Sequence, residues 1–153
     1  MLEFARLATQ RVAVLELNNS RREFVKQHYP DVILLRHTPP ECFAQVVIDA
    51  TGNAESMSET PHFAKFTGRI VFVGITKEPV VIDDPLLHRR ELTLLASRNA
   101  VASDFTLIIG LIEDGRIDTR PWISHRARFD HLPEAFPGWV QPDSGVIKAM
   151  VEM

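Results

Sequence analysis

Two short apolar runs between Gln45 and Ile75 give the clearest structural pattern in the chain. Each run is rich in β-branched residues and ends in small residues, which is typical of a strand buried in a parallel sheet. About fifteen residues separate the runs, and a crossover helix between parallel strands needs about that length. The segment therefore predicts a strand–helix–strand unit.

Small or short-chain residues follow both predicted strands, at positions 50–53 and 74–76. In parallel sheets, ligands bind beyond the carboxyl ends of the strands. Glycine and other small residues there let a flat ligand approach the backbone closely. We interpret these turns as one wall of a dinucleotide crevice. The alternative is an α/β core whose turns hold no ligand, because the same fold serves many unrelated functions.

The residues before this unit predict helices and strands in alternation. Ser20 and Glu23 have the spacing of a capping box at the start of a helix, and Pro30 stops that helix. The other predicted elements of this part are a helix over 1–10, a strand over 11–17, a turn at Asn18-Asn19 and a short strand over 32–35.

The residues after Asn53 continue the alternation and then depart from it. Asn53 is the predicted N-cap of a helix over 54–66, which Pro61 bends and Gly68 ends. Further along, the pattern predicts loops at Glu78-Pro79 and Asp84-Pro85, with a weak extended piece over 80–82 between them, and then a strand over 91–96. A helix capped by Ser103 and closed by Gly115 follows. The last predicted elements are strands over 122–129 and 145–151, separated by a short helix begun by Pro133 and ended near Pro137-Gly138. We expect these last strands and the helix between them, over residues 122–151, to pack against a different structural layer from the elements before them.

Composition and charge narrow the function classes. The 153 residues suit one domain by length, and the net charge of −3 argues against a nucleic-acid partner, which needs a concentrated basic surface. The single cysteine, Cys42, excludes an internal disulfide and a thiolate-cluster metal site. No apolar run is long enough for a membrane span and no signal peptide is recognisable, so we expect a cytoplasmic protein without a membrane partner.

Two charged residues stand where a nucleotide fold needs them. Glu16 ends the second strand of the dinucleotide pattern, where an acidic residue accepts hydrogen bonds from the adenosine ribose and repels a 2′-phosphate, so NAD is favoured over NADP. Arg21 can stack its planar guanidinium on the adenine ring. Each is equally compatible with an ordinary surface charge. Arg98 follows the last parallel strand, where we expect an apolar setting and a charged partner.

Several other chemistries find no support in the sequence. The six histidines form no i,i+4 pair, and with one cysteine they define no metal site. No glycine-flanked nucleophilic serine or phosphate-binding loop ending in lysine is present. Tyr29 is followed four residues later by Ile33 rather than lysine, which excludes the short-chain dehydrogenase arrangement.

Taken together, the motifs resemble the C-terminal part of a zinc-type medium-chain alcohol/polyol dehydrogenase, in the polyol and sugar-acid branch that includes L-galactonate and sorbitol dehydrogenases. The similarity covers nearly the whole chain in the family's order and spacing. It is carried by residues 12–16, 20–23, 47–53, 68–74, 97–99, 114–117, 123–125 and 145–148.

The resemblance implies an α/β fold with a Rossmann-like, doubly wound parallel sheet that lacks its first strand and glycine-rich turn. Residues 1–116 would form this partial NAD-binding domain, and 117–153 a short α+β tail returning to an absent catalytic domain. By the same likeness, Glu16 binds ribose, a dimer forms around residues 91–97, and Ser97 and Arg98 close over the cofactor. The residues implied to line the nicotinamide half are Ala50, Thr51, Gly52, Val73, Gly74 and Ile75.

The departures from the family shape the expected function. In the family the catalytic zinc ligands and the glycine turn precede the part matched here, so we expect no catalytic or metal-binding residue in this chain and weak or lost NAD affinity. We also expect the gap left by the first strand to be closed by rearrangement, a second copy or a partner fragment. The sequence thus predicts a cofactor-binding fragment of an NAD-dependent dehydrogenase, inactive alone; the alternative is a non-catalytic oligomerisation or binding module.

Overall fold

Every strand pair that the structure describes is parallel, and helices connect successive strands except across residues 36–43. The computed structural model describes residues 1–141 and 143–153. They form two units. The central unit comprises residues 38–101, and the terminal unit comprises residues 1–37 and 102–153. The predicted α/β class with parallel sheets is therefore confirmed.

The central unit contains the strand–helix–strand segment predicted from the apolar runs. Its sheet has the order β3-β4-β5, with Val47 opposite Ile70 and Val71 opposite Leu95. Ile70 is fully buried in the core of this unit. The elements are β3 (Ala44–Asp49), α3 (Ala54–Phe63), β4 (Ala64–Phe72), α4 (Asp84–Arg89) and β5 (Thr93–Ala96).

The end of α3 differs from the prediction. Asn53 caps the helix as predicted, its side chain accepting from the Ser56 amide at 2.9 Å. However, the helix ends at Phe63, two residues after Pro61, because proline cannot donate to the helical ladder. Gly68 does not end the helix. It lies within β4, where a Cβ would come 2.6 Å from the Lys65 carbonyl oxygen, so glycine permits an irregularity in the strand.

The segment between β4 and β5 also differs from the prediction. Residues 80–82 form no strand, and the predicted loop at Asp84-Pro85 is the first turn of α4. Asp83 is the N-cap of this helix and accepts from the Leu86 amide at 3.0 Å. Aspartate followed by a proline in the first turn is a typical helix start. The strand predicted over 91–96 begins at Thr93.

The terminal unit is built on an aromatic core. Tyr29 is buried, and its ring centroid lies 5.5 Å from that of Trp122, which in turn lies 4.9 Å from Phe24. Two separate parallel pairs, β1-β2 and β6-β7, belong to this unit. Its elements are α1 (Leu2–Ala8), β1 (Ala13–Leu15), α2 (Asn19–His28), β2 (Ile33–Leu35), α5 (Ala102–Glu113), β6 (Ile123–Arg128), α6 (Leu132–Trp139) and β7 (Lys148–Glu152).

Two predicted helix caps in this unit are corrected. Asn18, rather than Ser20, is the N-cap of α2, and its side chain accepts from the Arg21 amide at 3.0 Å. Ser103 lies inside α5 rather than ahead of it. Gly115, by contrast, has a φ of +69° just after α5, as expected for a helix-terminating glycine.

Strands β1 and β3 each have one strand neighbour within the described residues, β2 and β4 respectively, so each retains an open edge. Exposed apolar side chains accompany these edges: Leu15 is 42% exposed, and Val46 is 48% exposed. No helix in the described part of the chain is long and apolar enough to cross a membrane.

Candidate cofactor site

Glu16 lies one residue beyond β1 and has a defined carboxylate geometry. Its Oε1 accepts a hydrogen bond from the Asn18 amide at 2.9 Å, and its Oε2 lies 3.9 Å from the Arg21 guanidinium. The side chain is 27% exposed, whereas that of Arg21 is 60% exposed. The terminal unit therefore brings the two predicted adenosine-binding residues together at the end of a parallel strand.

Arg22 fixes the backbone at this place, a role that the sequence did not indicate. Its Nη1 donates to the carbonyl oxygens of Glu16 and Leu35, both at 2.9 Å. These carbonyls lie at the ends of neighbouring strands β1 and β2. One guanidinium thus ties both strand ends to α2 and holds Glu16 in position.

In the central unit, the turns after β3 and β4 meet backbone to backbone. A Cβ on Gly74 would lie 2.3 Å from the Gly52 amide nitrogen, and a Cβ on Gly52 would lie 2.9 Å from the Ile75 carbonyl oxygen. Gly52 also has a φ of +66°, a conformation that favours glycine. This contact is possible only because both residues lack a side chain. The small residues of these two turns therefore serve their mutual packing; the predicted approach of a flat ligand stays a prediction.

Asp49 anchors these turns and was not among the predicted site residues. Its side chain is buried, and its Oδ1 accepts from the Thr51 amide at 2.9 Å and the Thr51 hydroxyl at 2.8 Å. Its Oδ2 accepts from the Ser56 hydroxyl at 2.7 Å. An aspartate two residues before a threonine at a strand end is a recognisable side-chain turn, so this signal was available in the sequence.

The segment after β5 lies beside β4, as predicted, although Arg98 differs from expectation. The Ser97 amide donates to the Phe72 carbonyl at 2.9 Å, which places Ser97 at the end of β4. Arg98 is exposed, so the apolar setting expected for its charge is not found in this unit. Ala50, Thr51 and Ile75 are exposed as well, and Val73 is partly exposed.

At this edge of the central sheet, the two turns pack backbone to backbone. Two side-chain-free positions face each other, and exposed backbone lies at the ends of adjacent parallel strands. Among residues 1–141 and 143–153, no group of three or more histidine, cysteine, aspartate or glutamate side chains is arranged to hold a metal.

No protein-family model matches the chain, but individual proteins do. The chain is 36% identical over 108 residues to L-galactonate-5-dehydrogenase of Escherichia coli, covering 71% of this chain and 32% of that protein. It is 31% identical over 150 residues to 2-dehydro-3-deoxy-L-galactonate 5-dehydrogenase of Pseudoalteromonas atlantica, covering 92% of this chain and 44% of that protein. The chain thus spans less than half the length of these relatives.

Solved structures agree with the fold. The 2R,3R-butanediol dehydrogenase of Bacillus subtilis superposes with a TM-score of 0.86 at 16% identity, over 99% of this chain and 46% of that chain. A zinc-binding dehydrogenase of Sinorhizobium meliloti, bound to NADP, gives a TM-score of 0.85 at 22% identity, over 99% and 48%. An alcohol dehydrogenase of Escherichia coli complexed with NADH gives 0.82 at 22% identity, over 95% and 45%.

These superpositions define the class of the protein: it has the Rossmann-like α/β fold found in alcohol dehydrogenases. The homologues of this chain are zinc-type alcohol and polyol dehydrogenases, and the resemblance inferred from the motifs is confirmed. Relatives of the same fold bind NADH or NADP.

Proposed function

We propose that the chain is the nucleotide-binding portion of an NAD-dependent, zinc-type polyol or sugar-acid dehydrogenase, an oxidoreductase that transfers hydride. The observation that carries the proposal is the contact of the Gly52 and Gly74 turns at the ends of adjacent parallel strands, in a chain whose homologues are such dehydrogenases. NAD, when bound, supplies the hydride acceptor, while the protein supplies binding and orientation.

In the terminal unit, we assign the adenosine half of NAD to Glu16 and Arg21. The Asn18 amide holds one carboxylate oxygen of Glu16 and so fixes the orientation of the other for ribose hydroxyls. Arg21 lies close enough to Glu16 to stack on an adenine attached to that ribose. A 2′-phosphate beside Glu16 would meet a like charge, so NAD is favoured over NADP.

In the central unit, we assign the nicotinamide half to the facing turns. Their exposed backbone gives amide and carbonyl groups for polar recognition, and the contact between Gly52 and Gly74 holds the two turns together at this edge. Ser97 and Arg98 complete this edge. The residues assigned to it are Ala50, Thr51, Gly52, Val73, Gly74, Ile75, Ser97 and Arg98.

The proposal extends to the substrate and partners of the whole enzyme. The substrate class, an alcohol, polyol or sugar acid, is suggested by what the relatives are named for. We assign no zinc ligand among the described residues, and therefore no step at a metal. We also propose that the protein is cytoplasmic and dimeric, with β5 at the contact, since all four residues of this strand are exposed.

The direct test compares NADH with NADPH on the purified chain. Nicotinamide fluorescence should report saturable binding of NADH, and NADPH should bind about tenfold more weakly, because like charges about 4 Å apart repel by roughly 1 to 4 kcal/mol between water and a protein surface. Glu16→Gln should reduce this preference. Glu23→Gln, which removes an exposed carboxylate from α2, is the matched control and should leave it unchanged.

Two results would contradict the proposal at different levels. If neither nucleotide binds saturably, the chain is not a nucleotide-binding portion and the function fails. If both bind equally to the unaltered chain, the function stands but the role of Glu16 is wrong.

One observation favours a second candidate, a non-catalytic oligomerisation module. Strand β5 exposes apolar side chains, with Leu94 40% and Leu95 46% exposed, which is typical of a surface covered by a partner. Light scattering distinguishes the candidates when combined with the titration. A stable dimer that binds no nucleotide supports the module, whereas nucleotide binding by the chain supports the dehydrogenase assignment.

A further inference from the structure

The Asp49 carboxylate connects three parts of the central unit at once. Its two oxygens take three hydrogen bonds, two from Thr51 in the turn after β3 and one from Ser56 in α3. The Asp49 main-chain oxygen accepts from the amides of Val73 and Gly74 at 2.8 and 3.1 Å. One residue therefore fixes the first turn, the helix that follows it and the turn after β4.

The hydrogen bonds continue from Asp49 to the start of α3. The Thr51 hydroxyl donates to Asp49 and accepts from the Asn53 amide at 3.1 Å, while the Asn53 side chain caps the helix at Ser56. Because Asn53 already serves as the N-cap, the helix does not require a second capping side chain there. A buried charge is costly unless it is fully hydrogen-bonded, so its retention beneath these turns calls for a role in their geometry.

We propose that Asp49 is a positioning residue for the nicotinamide half of the cofactor. Its carboxylate holds Thr51, and its main-chain oxygen accepts from Val73 and Gly74, so that the exposed backbone of both turns keeps one spacing. This inference rests on the proposed function. Asp49 itself is buried and acts through the turns rather than by touching the ligand.

The test separates positioning from simple stabilisation by using two ligands. NADH carries the nicotinamide half, whereas AMP carries only the part assigned to the terminal unit. Asp49→Ala should weaken NADH binding about tenfold, as expected when a residue without ligand contact loses its hold on the turns that bind the ligand. It should leave AMP binding within about twofold, because effects at independent sites are nearly additive. Amide chemical-shift titrations measure both dissociation constants.

Two further variants sharpen the comparison. Asp49→Asn should restore NADH binding, because the amide oxygen can accept from Thr51 and the amide nitrogen can donate to a rotated Ser56 hydroxyl. Asp83→Ala is the control: like Asp49, Asp83 has a carboxylate that accepts a hydrogen bond from a main-chain amide, in this case at the start of α4. This variant should change neither the NADH nor the AMP affinity. Where Asp49→Ala does not fold, Ser56→Ala replaces it, with the same selective loss of NADH expected.

Each outcome bears on the inference. A selective loss of NADH in Asp49→Ala or Ser56→Ala, with recovery in Asp49→Asn, supports it. Equal losses of NADH and AMP, no loss of either, or an Asp49→Asn variant as weak as Asp49→Ala overturns it while leaving the proposed function intact. An unaltered chain that binds no NADH overturns both.

Discussion

Arg90 offers a direct test of how the central unit is held together. Its side chain is only 6% exposed, and Nη1 donates to three main-chain oxygens, those of Pro61 at 3.2 Å, His62 at 2.8 Å and Ala64 at 3.2 Å. Its Nη2 pairs with Glu41 Oε2 at 2.6 Å. The guanidinium thus satisfies the carbonyls at the junction of α3 and β4, where the helix passes directly into the strand.

The magnitude depends on which partner is removed. Arg90→Met keeps an unbranched apolar side chain but leaves the buried carbonyls without a donor, and a buried acceptor left unsatisfied costs about 1 to 3 kcal/mol. Glu41 is 69% exposed, so Glu41→Gln should cost less than about 1 kcal/mol, as for other surface pairs. The buried carbonyl contacts, rather than the ion pair, should therefore dominate.

Urea unfolding followed by circular dichroism measures both variants. Arg89→Met, a neighbouring exposed position in α4, is the matched control and should change the free energy of unfolding by no more than about 0.5 kcal/mol. The slope of the free energy of unfolding against urea concentration should be the same in all variants, so that their unfolding midpoints can be compared. Equal midpoints for Arg90→Met and Arg89→Met would refute the reasoning, and a Glu41→Gln loss as large as that of Arg90→Met would assign the stabilisation to the ion pair.

Three further predictions concern other parts of the chain. Burial and a hydrogen bond to a nearby carboxylate raise the pKa of Tyr29 above its unfolded value. The stabilisation of the fold by Tyr29 is therefore complete below about pH 10 and is lost at higher pH, and the free energy of unfolding of Tyr29→Phe, measured against pH, should lack that loss. Gly74→Ala places a Cβ 2.3 Å from a facing main-chain nitrogen and should cost about 1 to 3 kcal/mol, whereas Gly138→Ala, with open space around it, should not destabilise the chain on thermal melting. Hydrogen bonds from the Arg120 side chain lower the pKa of Asp118 to about 2, and carboxyl NMR of Arg120→Gln should show it returning towards about 3.9.

The parallel strands were predictable because their signal is local. The apolar runs at 46–48 and 70–73, which are rich in β-branched residues, identify β3 and β4, and the small residues after them identify the edge where the turns meet. Asn53 was recognised as a cap for the same reason, since a capping side chain acts within one helical turn. The assignment of the α2 cap to Ser20 was wrong because Asn18, two residues earlier and predicted as part of a turn, is also a competent cap, and the helix begins after it.

The features that the sequence did not predict depend on contacts between residues far apart in the chain. In the sequence, Arg90 is one of several charged residues near a predicted loop, but its side chain is buried against main-chain carbonyls 26 to 29 residues earlier. Arg22 was assigned only to a capping box, whereas its guanidinium joins the ends of β1 and β2. Gly68 carries the usual signal of a helix end, but the close Lys65 carbonyl that requires it belongs to an irregular strand. Tertiary packing decided each case.

The most direct test of the central claim is an amide chemical-shift titration of the unaltered chain with NADH. The account predicts saturable shifts at Thr51, Gly52 and Gly74 in the central unit and at Asn18 in the terminal unit, with a dissociation constant near or below about 1 mM. Shifts that do not saturate, or that fall on residues away from the ends of β1, β3 and β4, would contradict it.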